Sequence, residues 1–461
     1  MAPSKNASKK ASKDTSNREG KKVSGKKTNT TTTPQPRHKV KDNQPRPRSS
    51  TTEESQNLIE ISETIPLNLQ QLLLNIFKAA LLPSHQDGVG AGAEGSQLDI
   101  KTLIQTIKSH LYNRDFDSAF ADADEELLRA YALRWSATRA LGYAGLFKSL
   151  LKILLEDRDG GVEDSPAGKA TGETHVVCIG GGAGAEIAAL AAAWRDLTDQ
   201  GVVGLLDDSE KGLSDALDAV SVEDACGKRD DTIAPSPDAL QTANDSRATF
   251  SISITAVDIA DWSTVVKRLS STILSPTVPA TKSHPAPLLR SQMGTDTDTG
   301  SNTDIFNVNF QRLNVLTLPD SSLSSLFHSP KSQTPTALVT LMFTLNELFS
   351  TSASKATAFL LRITDLLQPG TILLVVDSPG SYSTLKLGKS TPGSGTTQER
   401  QYPMKFLLDH ALLSVAKGKW DRVFSHDSRW WRRDAARLWY DVGEGAGLED
   451  MRFQIHVYRR V

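Results

Sequence analysis

Apolar and polar positions divide the chain into three kinds of segment. Residues 1–57 are Lys, Ser, Thr, Asn, Gln and Pro with almost no apolar position. Such a segment cannot bury enough surface to offset its folding entropy, so a disordered tail is expected. From 58 to about 158 the spacing turns helical. In "IPLNLQQLLLNIFKAALL", Leu67, Leu69, Leu72, Leu73, Ile76, Phe77 and Leu81 fall largely on one helical face. "LDIKTLIQTIKSHLYNRDFDSAF" and "EELLRAYALRWSATRALGYAGLFKSLLKILLE" continue the pattern. It predicts a helical N-terminal subdomain over 58–158, with a Gly-rich linker at 88–95. Trp135 and Tyr143, at helical spacing, are assigned to its core.

Past a Gly/Asp loop at 157–172 the pattern alternates between short apolar runs and helices. A strand at 174–179 leads to a helix at about 185–198. "TFSISITAVDIAD" sets Phe250, Ile252 and Ile254 on one strand face, and a helix begins after Asp261. Then come "IFNVNFQRLNVL", "TALVTLMFTLNELF", a helix in "SASKATAFLLRITDLL", a buried strand in "PGTILLVVDSPGS" and a last strand in "MRFQIHVYRRV". Two polar stretches, about 199–248 and 277–304, interrupt the pattern and are expected to be low-complexity insertions. Strands alternating with helices predict an α/β domain with a mostly parallel sheet over 173–461.

Charge changes this picture at one end. The formal net charge of the 461 residues is −2, but residues 1–50 hold 14 Lys/Arg against 3 Asp/Glu. The other residues hold 38 basic and 51 acidic side chains, 11 of the acids within 201–250. A basic tail therefore precedes an acidic body, and clusters such as Lys21-Lys22 and Lys26-Lys27 suit phosphate backbones or import receptors. Cys178 and Cys226 are the only cysteines, too few for a disulfide framework, and Cys178 reads as a small core residue. No run is apolar enough to span a membrane, and the N-terminus has no secretory apolar region. The nine histidines show no metal spacing. His175 sits in the first strand without an assigned role, and no metal is expected.

"HVVCIGGGAGAEIAALAAAWR" is a strand, a glycine turn and a helix start. Such a turn brings backbone N–H groups against a ligand. Two ligands fit. Gly180, Gly182 and Ala185 satisfy the G-x-G-x-x-G/A dinucleotide fingerprint. Gly180, Gly182 and Gly184, with Gly181 in the same turn, equally form the G-x-G-x-G loop that cradles the amino-acid part of S-adenosylmethionine. A P-loop is excluded because no G-K-[ST] follows. Asp258, ending "SISITAVD", can accept both ribose hydroxyls of either ligand, while Asp261 better suits capping of the next helix.

Later segments separate the two. "VVCIGGGAGAEIAAL", "VDIADW", "TLMFTLNELF", "LLVVDSPGSYS", "SRWWRR" and "LEDMRFQIHVYRR", with "YALRWSATRAL" upstream, together resemble the fungal 25S ribosomal RNA uridine-N3 methyltransferase family over roughly residues 60–461. The resemblance implies a Rossmann-like class I methyltransferase fold, with a seven-stranded, mostly parallel sheet and an antiparallel last strand. It implies S-adenosyl-L-methionine as methyl donor and a uridine in large-subunit rRNA, or in a pre-ribosomal particle, as target. Nucleus or nucleolus is the implied location, with the cytoplasm second. Gly180, Gly182 and Gly184 line the methionine end, Glu186 faces its amino group or only starts the helix, and Asp258 holds the ribose. Asn314, in "RLNVL", stands where many relatives of the wider fold place an acid on the adenine amino group; its amide oxygen can accept that bond without the charge.

Removing the uridine N3 proton calls for a carboxylate within reach. Glu347 is the first candidate base, with Asn346 as a reader of the base edge and Asp377 as the second candidate base. Tyr382, after "DSPGS", is a candidate platform for the target base. Trp430, Trp431, Arg432 and Arg433 are candidates for base stacking and phosphate contact, although neighbouring residues point in different directions. Two other functions remain open to the residues alone: an NAD(P)-dependent oxidoreductase and a non-catalytic ribosome-assembly factor on a methyltransferase-like fold.

Overall fold

The computed structural model describes residues 57–82, 98–113, 115–159, 172–202, 250–290, 305–387 and 398–461. The expected tail up to residue 56, most of the first insertion, the second half of the other insertion and Cys226 lie outside the described residues.

Seven strands form one sheet: β1 (Gly172–Ile179), β2 (Phe250–Asp258), β3 (Phe306–Arg312), β4 (Thr336–Met342), β5 (Ile372–Asp377), β8 (Trp420–Trp431) and β9 (Met451–Arg460). Their order is β3-β2-β1-β4-β5-β9-β8, with β1 to β5 mutually parallel and β9 antiparallel to both β5 and β8. β6 (Tyr382–Leu387) and β7 (Gln398–Pro403) make a separate hairpin. The order reverses between β1 and β4, so a crevice opens at their carboxyl ends, where open α/β sheets bind ligands.

β1 and β5 are buried along nearly their whole length. That is why they read as unbroken apolar runs rather than as alternation. His175 is buried between strands, with Nδ1 2.9 Å from Thr336 Oγ1 on β4 and Nε2 3.0 Å from Thr255 Oγ1 on β2. Its role is to join three strands. The sequence pattern does not disclose β8. That strand lies at the sheet edge, carries Asp421, Arg422, His426 and Asp427, and has two register shifts against β9. Charges and bulges are common devices on an edge strand, and they erase its period.

One face of the sheet is covered by α1 (Leu67–Leu81), α4 (Ala137–Asp159), α5 (Ala185–Asp199) and α6 (Ser263–Ile273). The other carries α7 (Asp320–Leu326), α8 (Leu345–Leu366) and α9 (Met404–Asp409). The two smaller N-terminal helices are α2 (Ile100–Tyr112) and α3 (Glu125–Tyr131). α3 runs through a π-helical turn, Ala132–Ser136, directly into α4. The helices of 58–158 and the sheet share one apolar cluster, in which Leu73, Phe77, Tyr143 and Phe147 meet Trp194, Leu190 and Phe453. Residues 277–290, expected within an insertion, run as coil and contribute Val278, Leu288 and Leu289 to that cluster.

Candidate active site

The glycine turn sits at the carboxyl end of β1. Gly180 (φ +77°) and Gly184 (φ +82°) occupy the left-handed region that side chains disfavour. Gly182 has no room for a side chain: a Cβ there would enter the Trp262 ring and come 2.8 Å from the Asp258 Cβ. The turn therefore lies tight against the end of β2. Gly180 N–H donates to Val257 O at 2.7 Å, and Gly182 N–H donates to Asp258 Oδ2 at 3.2 Å. Asp258 Oδ1 accepts from Ala260 N–H at 3.1 Å. Burial raises its pKa to about 6 against these donors. Asp261 accepts from Ser263 N–H at 3.2 Å, one residue before Trp262, the N-cap residue of α6.

A cleft of about 970 Å³, counted out to its open mouth, begins at this turn. Gly180, Glu186, Asp258 and Asn314 line it, as do Glu347 on the first turn of α8 and the apolar side chains of Val315, Leu316 and Trp262. Glu186 is 3% exposed, and its Oε1 has no hydrogen-bond partner. Burial is the main reason its pKa rises to about 8, with Asp258 adding to the rise and Arg139 opposing it. Asn314 Oδ1 already accepts from Leu316 N–H at 3.0 Å; a carbonyl-type oxygen has a second lone pair for another donor.

Glu347 is pushed up to about 7, first by burial and then by the charges of Asp258 and Asp377. Asp377 is 3% exposed and does not line the cleft. Its Oδ2 accepts from Asn346 N–H at 3.0 Å, and its Oδ1 from Ser378 N–H at 2.7 Å and Ser381 Oγ at 3.3 Å. It ties the segment after β4 to the segment after β5. Asn346 keeps a buried Oδ1 without a partner. Tyr382 is exposed at the start of β6, beside the Ser381 carbonyl that accepts from Met404 N–H.

Trp430 and Trp431 end β8 at the same carboxyl edge of the sheet, three strand spacings from β4, or roughly 14 Å. They point apart. Trp431 packs on the core beside Gly142, whereas Trp430 is exposed and carries the Arg432 guanidinium 5.0 Å and the Arg452 guanidinium 5.7 Å from its ring centre. Arg432 and Arg433 also pair with Asp450, and Arg433 donates to Leu448 O.

Sequence reasoning left out one wall of the cleft. Tyr131, Ser136, Arg139 and Tyr143 reach it from α3, the π turn and α4, and Phe343 reaches it from the end of β4. Tyr131, Ser136 and Arg139 fall in "YALRWSATRAL" and Phe343 in "TLMFTLNELF", segments quoted only for the resemblance, and Tyr143 was assigned to the core. Ser136 is fully buried with an unpartnered Oγ. π turns recur at functional sites, and this one brings Tyr131 and Ser136 to the cleft on a continuous helix.

These groups suit an adenosine ligand that carries a charged amino-acid arm. The Asp258 carboxylate lies against the glycine turn, apolar side chains line the cleft beside it, and the buried Glu186 Oε1 near the turn is unpartnered. Among the described residues no group of three or more His, Cys, Asp or Glu could hold a metal ion.

Comparison with known proteins agrees with this chemistry. The 25S rRNA (uridine(2843)-N(3))-methyltransferase of Saccharomyces cerevisiae is 30% identical over 403 residues, covering 84% of this chain and 85% of the relative. Among solved structures, an O-methyltransferase family protein from Burkholderia thailandensis matches 78% of this chain and 70% of its own, at 11% identity and a TM-score of 0.30. From the same organism, 1,6-didemethyltoxoflavin-N1-methyltransferase with bound S-adenosylhomocysteine matches 77% of this chain and 89% of its own, at 12% identity and a TM-score of 0.28. The strand order, with its antiparallel β9, carries the fold assignment independently of these two. The model of the SAM-dependent methyltransferase family matches residues 90–459. With a Rossmann-like sheet, a glycine turn at its switch point and a family match over most of its length, this chain belongs to the S-adenosylmethionine-dependent methyltransferases.

Proposed function

We propose that the protein methylates N3 of a uridine in large-subunit ribosomal RNA. The observation that carries this reading is Glu347, a carboxyl on the cleft wall whose pKa of about 7 matches proton exchange near neutrality. The target class follows the yeast relative, which spans nearly the same length. When bound, S-adenosylmethionine supplies an electrophilic methyl group on its sulfonium. Glu347 accepts the N3 imide proton as the N3–methyl bond forms and the sulfur–methyl bond breaks. Burial helps, because a partly desolvated carboxylate is a stronger base than one in water. Glu347 suits this role better than Asp377, whose oxygens already accept three protein donors. Asn346, one residue before Glu347, reads the base edge through its side-chain amide N–H, which can donate to a uridine carbonyl.

Gly180, Gly181, Gly182 and Gly184 hold the methionine end of the cofactor, Glu186 its ammonium, Asp258 the ribose and Asn314 the adenine edge. The target base must leave its stack to reach the cleft. Tyr382 and Trp430 offer stacking faces at the same sheet edge, with Arg432 and Arg433 beside the phosphates and Trp431 as their anchor. The remaining parts of the reading are a basic tail over 1–57, a helical part over 58–158, a catalytic part over 173–461, and work on pre-ribosomal particles in the nucleus or nucleolus.

The test has two arms. Mass spectrometry of large-subunit rRNA should show one 3-methyluridine lost when the gene is removed. Restoring the wild-type protein should return it. Glu347→Gln should bind the cofactor normally yet transfer methyl roughly 10²–10⁴-fold more slowly. An unchanged 3-methyluridine content refutes the target, and an unimpaired Glu347→Gln enzyme refutes the base.

A further inference from the structure

An arginine and a glutamate share the inner end of the cleft without forming an ion pair with each other. Arg139 comes from α4, a helix outside the strand–helix alternation, and Glu186 comes from the first turn of α5. Arg139 forms no ion pair among the described residues. Its one hydrogen bond among the described residues runs from Nη1 to the Tyr131 hydroxyl oxygen at 2.7 Å. Its guanidinium lies 4.7 Å from the ring centre of Phe343 and 5.8 Å from that of Tyr131. Phe343 has φ +58°, a backbone conformation that a bulky residue rarely adopts. Local strain of this kind persists where the surroundings hold a group in place, and here it keeps a ring against the guanidinium. Glu186 in turn keeps an unpartnered buried Oε1.

An arginine and a glutamate that face one cleft normally pair directly, because a lone buried charge is costly. These two are held apart on separate elements, each aimed into the same space. We propose that Arg139 and Glu186 form a clamp for a zwitterion, with Arg139 taking the α-carboxylate of the cofactor's amino-acid arm while Glu186 takes its α-ammonium. A guanidinium presents parallel N–H donors that match a carboxylate, and Tyr131 and Phe343 fix the plane of that fork. The bound ligand then supplies each side chain with the counter-charge the protein withholds. Burial holds the Glu186 carboxyl near 8, and the groups that face it are Arg139 from α4, Asp258 from β2 and Cys178 from β1. The clamp makes the helical N-terminal part a component of the cofactor site, since the sheet side supplies Glu186 but not the cation.

Calorimetric binding of paired ligands tests this without turnover. The probes are S-adenosylhomocysteine, its decarboxylated analogue and 5′-deoxy-5′-methylthioadenosine, which lacks the whole amino-acid arm. Wild-type protein should prefer S-adenosylhomocysteine over the decarboxylated analogue by at least about 30-fold, the range for a buried charge pair. Arg139→Ala should erase that preference while changing affinity for the other two ligands less than about threefold. Arg139→Lys should restore part of it, because a point charge replaces the fork. Equal weakening of all three ligands by Arg139→Ala would mean a purely structural role and overturn the clamp. So would a wild-type protein indifferent to the carboxylate, a result that needs no variant to fold.

Discussion

Glu186, Glu347 and Asp258 share a physical predicament: each is a carboxyl held where its ionised form is poorly solvated. Their pKa values rise to about 8, about 7 and about 6 from ordinary values of 4.5, 4.5 and 3.8. Over the pH range between the two values, the folded chain holds protons that the unfolded chain has released. Stability therefore falls as pH rises through that range. His175 and His456, driven by burial to about 4, act in the opposite sense, but only below their ordinary value of 6.5. Between pH 6.5 and 8 the carboxyls act alone. Ligand-free protein should lose on the order of 1–2 kcal/mol across that window through Glu186. Urea titrations at both pH values measure the loss, and Glu186→Gln should remove most of it. A stability that is flat or rising in the wild type would contradict the burial of these groups. The glycines of this turn were legible in the sequence because their role is set by the backbone of adjacent residues. Arg139 was not, because its role depends on Glu186, which is distant in the chain.

At the scale of elements, α4 matters most, since it both packs the core and lines the cleft. Lys148 fixes its position: its Nζ lies 2.8 Å from Asp196 Oδ2 on α5 and 3.0 Å from Glu63 Oε2 in the segment before α1. Lys148 and Asp196 are both buried, the latter 2% exposed. Breaking such a pair strands a charge, whereas replacing both partners with apolar groups does not. Lys148→Ala should cost about 3 kcal/mol in chemical denaturation, and Lys148→Met with Asp196→Leu should recover most of that loss. A single variant within about 0.5 kcal/mol of wild type would show that the pair does not hold the helix. Helical spacing in the sequence predicted these helices, because burial on one face leaves a period. It also suggested a helical N-terminal subdomain. The structure packs these helices and the sheet around one core, a feature periodicity cannot disclose because an apolar face reads alike whatever covers it.

At the scale of the molecule, charge separates two tasks. Outside the first 50 residues acids outnumber bases, 51 to 38, which disfavours a polyanion. The 14 Lys/Arg of residues 1–50 offer the compensating attraction. Deleting residues 1–50 should lower the slope of log affinity for rRNA against log salt by roughly 0.7–0.9 for each phosphate that the tail neutralises. Methyl transfer to a short saturating oligonucleotide should persist, since the cleft residues lie elsewhere. A slope identical to that of the full chain would remove the tail from RNA binding. The sequence by itself determined the α/β class, the glycine turn, the acid that ends the second strand and the family resemblance, because each is written in contiguous residues or in a strand's apolar run. Tertiary structure alone decided the edge strand β8, which of Trp430 and Trp431 is exposed, the tying role of Asp377 and the arrival of Arg139 in the cleft with Glu186. Those features depend on side chains far apart in the chain meeting at one sheet edge, and no local period encodes that meeting.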